Sequence, residues 1–276
     1  GYPIDGVILT TGCDKTTPAA LMAAATVNIP AIVLSGGPML DGVYKGKLAG
    51  SGTVIWEARK LLAKGEINYE EFMDMVASSA PSVGHCNTMG TASSMNSVAE
   101  ALGMSLTGCA IIPAPYRERE QISFETGKRI VGMVHENLIP SKIMTRKAFE
   151  NAVVVASAIG GSSNCTTHLS AIAKHMGIQF NLSDWQKLGH KIPLLVNCQP
   201  AGEYLMESFY RAGGVPAVMK ELIKNKKIHT NIKTVSGKTV GQNLKIKIDT
   251  DKQVIKSYED SLTDKAGFLV MKSNFF

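Results

Sequence analysis

Short apolar runs bounded by glycine, each followed by a segment of helical period, recur along the chain, and no other feature narrows its fold so far. The alternation is that of βα units, whose parallel strands are buried on both faces and so read as unbroken apolar stretches. Gly6 to Thr11 reads as a strand, Pro18 to Val27 as a helix, Ala31 to Ser35 as a second strand and Thr53 to Ala63 as an amphipathic helix. Tyr69 to Ser78 and Thr91 to Leu102 are helical by period, with Gly103 at the stop position of the latter. Cys109 to Ile112 reads as a short strand, closed by the break Pro113-Ala114-Pro115.

A second group begins with a helix from Phe124. Val153 to Ala158 is strand-like or buried, the turn Gly160-Gly161-Ser162-Ser163-Asn164 leads into a helix through Met176, and Pro193 to Asn197 reads as another strand. Gly213-Gly214-Val215-Pro216 opens a helix to about Lys224, after which the chain alternates like exposed β structure. The expectation is an α/β fold, parallel sheets flanked by helices, in two lobes of about 1–120 and 121–276. Both ends read as cut: the chain starts just before a buried strand, and Gly267-Phe268-Leu269-Val270-Met271 is an apolar run with little after it to cover it.

With 276 residues, 45% of them hydrophobic, the chain can bury one large core or two modest ones. It has no apolar run of the roughly 20 residues that span a bilayer, and Gly1-Tyr2-Pro3-Ile4-Asp5 has none of the regions of a signal peptide, so a cytoplasmic setting without membrane association is expected. The net charge of +6 is local, because ten lysines between Lys220 and Lys256 face only Glu221, Asp249 and Asp251. That segment has neither arginine nor an aromatic residue for bases to stack on, which points to a solvated surface and away from nucleic acid. Five cysteines, Cys13, Cys86, Cys109, Cys165 and Cys198, are odd in number and widely spaced, which argues against both a disulfide framework and paired zinc ligands.

Two segments could carry chemistry. Gly12-Cys13-Asp14-Lys15-Thr16-Thr17-Pro18-Ala19 sits where a strand yields to a helix, the place at which open parallel sheets collect ligands, and it sets a soft thiol, a hard carboxylate and an amine side by side. Read blandly, Cys13 is a small core residue and Asp14 a helix N-cap. Gly84-His85-Cys86-Asn87-Thr88-Met89-Gly90-Thr91-Ala92 has the same build, a small-residue turn before a helix whose free N–H groups can bind an anion or favour a thiolate. Its bland reading is a buried thiol in a tight turn, with His85 structural.

Together these segments resemble the IlvD/Edd dehydratases, a family that includes dihydroxyacid, phosphogluconate and pentonate dehydratases. The likeness rests on Cys13-Asp14-Lys15 with Pro18-Ala19 and Ala23, on Ser35-Gly36-Gly37-Pro38-Met39, Gly84 to Leu106, Pro113 to Arg119, Gly160 to Leu169, and Gln199 to Tyr204 through Gly213-Gly214. The wording of Thr16-Thr17-Pro18-Ala19 and of His85 to Gly90 is most similar to the sugar-acid (arabinonate, xylonate) branch. The resemblance implies that Cys13 and Cys86 ligate a 2Fe-2S cluster whose third cysteine lies upstream of Gly1. It implies that Asp14 binds magnesium (Mg2+), and that Lys15 becomes a carbamylated lysine, a carboxylate-like ligand to the same ion. The product would be a 2-keto-3-deoxy acid. A serine base and a further carboxylate ligand would belong to a C-terminal β-barrel domain absent from these residues, which leaves no catalytic base here and an inactive fragment. A homo-oligomer, dimer or tetramer, is expected of the full-length protein.

Asn164 and His168, in and just beyond the glycine turn, and His85 are candidate contacts to the substrate, since such a turn can cradle a carboxylate through its N–H groups. The glycine pair could equally serve helix packing. Arg117 could recognise an acid, although the alternating charges of Arg117-Glu118-Arg119-Glu120 usually mark a solvated helix start. Glu203 and Arg211 could line a pocket or pair with each other. Cys109, Cys165 and Cys198 read as buried thiols. Rival readings are a dihydroxyacid dehydratase of branched-chain amino-acid synthesis and a non-catalytic α/β binding module.

Overall fold

The two strand runs nearest the start become β1 (Val7–Thr11) and β2 (Ala31–Ser35), joined by helix α1 (Thr16–Val27). The computed structural model, which describes residues 3–265, 267–271 and 273–274, pairs them in parallel from Val7 against Ala31 to Thr11 against Ser35. Gly1 and Tyr2, part of the segment read above for a leader, lie outside the described residues. Asn28 ends α1 in the left-handed region, its N–H returning to the Ala24 carbonyl.

A hairpin of β3 (Val43–Tyr44) and β4 (Lys47–Leu48) follows, then α2 (Val54–Ala63) and α3 (Tyr69–Ser78). Ala49, Val54, Ala58 and Met75 give this small unit its own apolar cluster. The rest is helical: α4 (Thr91–Ala101), α5 (Arg117–His135), α6 (Pro140–Ile143), α7 (Arg146–Ala158), α8 (Asn164–His175), α9 (Leu182–Leu188), α10 (Met206–Arg211), α11 (Gly214–Lys224) and α12 (Val240–Asn243). Helix α5 packs on both strands, α1 lies against β1, α4 and α8, and α4 lies against α7. The fold is therefore α/β, a parallel pair flanked by helices. The main hydrophobic cluster runs from Leu21 to Ile255 and draws on residues from both halves of the chain. Among the described residues, no helix is long and apolar enough to cross a membrane.

Val153 to Ala158 takes the buried alternative, inside α7, where every residue from Asn151 to Ala158 is buried, and a helix enclosed all round shows no polar face to reveal its period. Three other β expectations fail. Cys109 to Ile112 forms turns, and Pro193 to Asn197 makes only isolated bridges, Leu194 with Thr263 and Val196 with Ile255. The lysine-rich stretch beyond α11 is mostly turn and coil with α12 within it, where exposed β structure was expected. In the final apolar run, Phe268 meets Trp185 edge-on at 4.5 Å between ring centres, while Leu269 and Met271 are exposed.

Candidate functional site

Strand β1 delivers Gly12 and Cys13 to the sheet's carboxyl end, and the turn into α1 is closed locally. Thr16 Oγ1 accepts from the Cys13 N–H at 3.1 Å and lies 3.1 Å from the Cys13 carbonyl, so a hydroxyl of the helix's first residue organises the loop. The position before α1 belongs to Lys15, which makes no side-chain cap, so Asp14 does not act as the cap of that helix. Its carboxylate lies 3.5 Å from Cys13 Sγ through Oδ1, and 3.9 Å from Lys15 Nζ through Oδ2, with both charged side chains substantially open to solvent.

The second segment is laid beside β2 by backbone bonds. The His85 N–H donates to the Gly37 carbonyl at 3.0 Å, and Met39 N–H donates to the His85 carbonyl at 2.9 Å. Both turns need glycine for this close approach: a Cβ at Gly37 (φ +86°) would stand 2.2 Å from the Ile112 carbonyl, and one at Gly84 (φ +133°) 2.4 Å from Met39 N. As a result Cys13, His85 and Cys86 line one cleft of about 760 Å³ together with Thr11, Gly37 and Met39.

The five cysteines divide in two. Cys13 and Cys86 are exposed and free, whereas Cys109, Cys165 and Cys198 are buried. Burial pushes the Cys165 thiol up to about 12 and raises those of Cys109 and Cys198 as well, so these three stay protonated. The bland reading as core thiols thus holds for those three and fails for Cys13 and Cys86.

His85 is held at both ring nitrogens, Nδ1 at 3.0 Å from the Cys86 carbonyl and Nε2 at 3.2 Å from Asn96 Nδ2. Burial pushes its imidazole down to about 4, and the Arg119 charge adds to the effect, so the ring is neutral at physiological pH. His168 on α8 lies within electrostatic reach of Lys15 and Asp14; desolvation first, then Lys15, lowers its basicity, and its Nε2 is buried without a partner. Asn164 opens α8 and donates to Thr91 Oγ1 at 3.0 Å, while Thr91 and Ser162 hydroxyls meet at 2.8 Å, which ties the glycine turn to the start of α4.

Under the cleft lies a buried polar layer that the sequence reading missed. Asn96, 1% exposed on α4, reaches the Gly12 carbonyl, Thr11, Thr17 and His85. Glu100, one turn further along, accepts from the Gly108 and Ala110 N–H groups at 2.7 and 2.9 Å, and burial still pushes its carboxyl up to about 7. Arg119 donates to the Ser35 carbonyl at 2.6 Å and to the Ile112 carbonyl, and burial lowers its basicity. The expectation of a solvated start to α5 holds for Arg117, whose partner is Glu118, and not for Arg119. Arg211 pairs with Glu207 at 2.8 Å, and Glu203 is not its partner. The available signal for the missed layer was spacing: Asn96 and Glu100 stand four apart, on one face of a helix otherwise built of small and apolar residues.

Among the described residues no group of three or more His, Cys, Asp or Glu side chains converges as a metal site. The donor types present are nonetheless sorted: two free thiols on the cleft wall, and a carboxylate beside an amine on its rim. Thiolates suit iron-sulfur ligation and carboxylate oxygens suit magnesium, so the residues fit part of each site.

Comparison with known sequences bears on this arrangement. A family model described as the dihydroxy-acid/6-phosphogluconate dehydratase N-terminal region matches residues 1–243. The chain is 59% identical over 276 residues to a D-xylonate dehydratase of Caulobacter vibrioides, covering all of this chain and 46% of that protein. It is 47% identical over 274 residues to an L-arabinonate dehydratase of Rhizobium leguminosarum bv. trifolii, covering 99% of this chain and 47% of the relative. Against a dihydroxy-acid dehydratase of Caldanaerobacter subterraneus subsp. tengcongensis the identity is 42% over 273 residues, covering 99% of this chain and 49% of the relative. The chain thus spans about half the length of the curated relatives it matches.

Proposed function

Since the chain belongs to the dihydroxy-acid/6-phosphogluconate dehydratase family, we propose that it is part of a hydro-lyase that removes water from a sugar acid, a pentonate, to give a 2-keto-3-deoxy acid. The observation that carries the proposal is the opening of two free thiols, Cys13 and Cys86, onto one cleft beside the Asp14–Lys15 rim. The choice of a sugar acid over a branched-chain dihydroxy acid rests on higher identity to the D-xylonate and L-arabinonate dehydratases than to the dihydroxy-acid dehydratase.

In this reading Cys13 and Cys86 would hold a 2Fe-2S cluster, and Asp14 with carbamylated Lys15 a magnesium ion. When bound, the two groups supply Lewis acidity toward the leaving hydroxyl and toward the carboxylate end of the substrate. The chain's own residues set the surroundings. Lys15, with its side chain 67% exposed, is open to solvent carbon dioxide. His85, neutral and engaged at both nitrogens, shapes the wall beside Cys86 and exchanges no proton with substrate. The N–H groups of Gly160, Gly161, Ser162 and Asn164 already donate to the Ser157 and Ala156 carbonyls and the Ser94 and Ser162 hydroxyls, so the glycine turn is no open cradle. His168 Nε2, buried without a partner, is proposed to receive a hydroxyl or carboxylate group of the sugar acid. Loss of a proton from C2 and of hydroxide from C3 leaves an enol, which tautomerises to the 2-keto acid; the base that takes the C2 proton is proposed to come from outside these residues. The 276-residue chain alone is therefore proposed to be inactive, and the full-length protein to be a homo-oligomer.

The test uses the full-length protein purified anaerobically with iron and sulfide, then magnesium. A brown cluster spectrum and release of a 2-keto acid from D-xylonate or L-arabinonate are expected. Turnover of a branched-chain 2,3-dihydroxy acid with neither pentonate accepted would overturn the substrate class, and a folded, colourless protein would overturn the reading altogether.

A further inference from the structure

We infer that Asn96 is the positioning residue of the cleft, joining the Cys13 and Cys86 segments through one continuous run of hydrogen bonds. The inference rests on the proposed role of those two thiols, and concerns how this chain holds them in a fixed mutual relation.

The orientation of the Asn96 amide follows from one obligatory acceptor. The Gly12 carbonyl can only accept, so the amide atom 3.3 Å from it is Nδ2, and Oδ1 faces the hydroxyls of Thr11 and Thr17 at 3.4 and 3.2 Å. The second Nδ2 proton then points at His85 Nε2, 3.2 Å away, which must be the bare nitrogen of the ring. The ring proton is left on Nδ1, and it donates to the Cys86 carbonyl at 3.0 Å. From the carbonyl preceding Cys13 to the carbonyl of Cys86, each bond fixes the polarity of the next. Both donors and both acceptor positions of the amide are filled, so no other side chain of this size satisfies the site.

The Thr11 and Thr17 bonds anchor the amide to the end of β1 and the first turn of α1, and its backbone belongs to α4, buried to 1% exposure. The Cys86 segment is also held by the His85 N–H on the Gly37 carbonyl and by the buried Asn87 amide on the Leu40 and Ser79 carbonyls. The run through Asn96 adds the side-chain link from that segment to the Cys13 segment.

Aspartate has the same shape as asparagine but no donor, so Asn96→Asp separates hydrogen-bond polarity from packing. In full-length, iron-free protein at neutral pH, 15N spectra of the ring nitrogens are expected to put the His85 proton on Nδ1, and Asn96→Asp to move it to Nε2. After anaerobic reconstitution with iron and sulfide, Asn96→Asp should retain at least about tenfold less cluster per chain. His85→Leu, altered on the cleft side where folding is less at stake, should lose cluster to a similar degree. An Asn96→Asp protein with the proton still on Nδ1, or a His85→Leu protein with wild-type cluster content, would overturn the inference. If wild-type protein takes up no cluster, the proposed function fails instead, and the ring-nitrogen spectra still decide whether Asn96 makes the link.

Discussion

The rim of the cleft and the layer beneath it are both polar, and they use their polar groups in opposite ways. On the rim Cys13, Lys15 and Cys86 stand in solvent, with loose contacts from Asp14 to Lys15 at 3.9 Å and to Cys13 at 3.5 Å. Beneath it, Asn96, Glu100 and Arg119 are no more than 7% exposed, and they bind backbone carbonyls and amides of three different segments, at Gly12, at Ser35 and from Gly108 to Ile112. An exposed polar group loses little by waiting for a ligand, whereas a buried one must be satisfied at once by the protein. The rim thus carries what is available for chemistry, and the layer below carries what holds the rim in shape.

Cysteine substitutions break this comparison most directly. In the full-length protein Cys13→Ser and Cys86→Ser should abolish both the cluster spectrum and dehydration, while Cys165→Ala, deep in the core, should keep both and cost about 1 kcal/mol in chemical denaturation. Equal loss of cluster from all three variants would mean that exposure does not separate ligand from core thiols here.

The next largest effect belongs to Arg119. Arg119→Ala leaves the Ser35 and Ile112 carbonyls without their donor and takes the neighbouring cation from buried Glu100, a loss of about 3–5 kcal/mol in unfolding free energy. Lysine should not restore it, because one ammonium on a flexible stem does not reproduce a planar fork spanning two carbonyls.

Glu100 sharpens the contrast through pH. Its carboxyl is raised from 4.5 to about 7 by burial, so the folded state holds this proton more tightly than the unfolded chain does. Its contribution to stability is complete below about pH 4.5 and is lost as pH rises through about 7, at about 1.4 kcal/mol per unit, or roughly 3 kcal/mol in all. Urea titrations at pH 5 and pH 8 should show that decline in wild type, and Glu100→Gln should remove most of it. An equal slope in both proteins would assign the dependence to other groups.

The same layer explains what could be read from the sequence. Strands β1 and β2, helix α1 and the stop at Gly103 were legible because period, apolar runs and glycine act locally. The segments around Cys13 and Cys86 were legible because thiol, carboxylate and amine carry chemical labels. Cys109 to Ile112 was misread because its apolar content suits a strand, yet its backbone is satisfied by side chains: Glu100 takes the Ala110 N–H, Ser35 Oγ donates to the Ala110 carbonyl, and Arg119 donates to the Ile112 carbonyl. Partners that lie seven to seventy-five residues away leave no trace in a local pattern. Asn96 escaped for a similar reason, since an asparagine among small helix residues acquires meaning only from what the fold brings to it.

The smallest expected effect comes from the same four-residue motif that holds Arg119. Arg117 is one of two arginines in Arg117-Glu118-Arg119-Glu120, and its side chain is 91% exposed with Glu118 as partner at 3.3 Å. Exposed pairs contribute little, because each ion keeps most of its hydration and the pairing restricts two long side chains. Arg117→Ala should therefore change unfolding free energy by less than about 0.5 kcal/mol, roughly a tenth of the Arg119→Ala effect two residues away. Successive helix positions differ by about 100° around the axis, so two residues suffice to carry one guanidinium from solvent to the back of the cleft. Comparable losses for the two variants would show that the motif acts as a surface charge run, and would remove Arg119 from the buried framework.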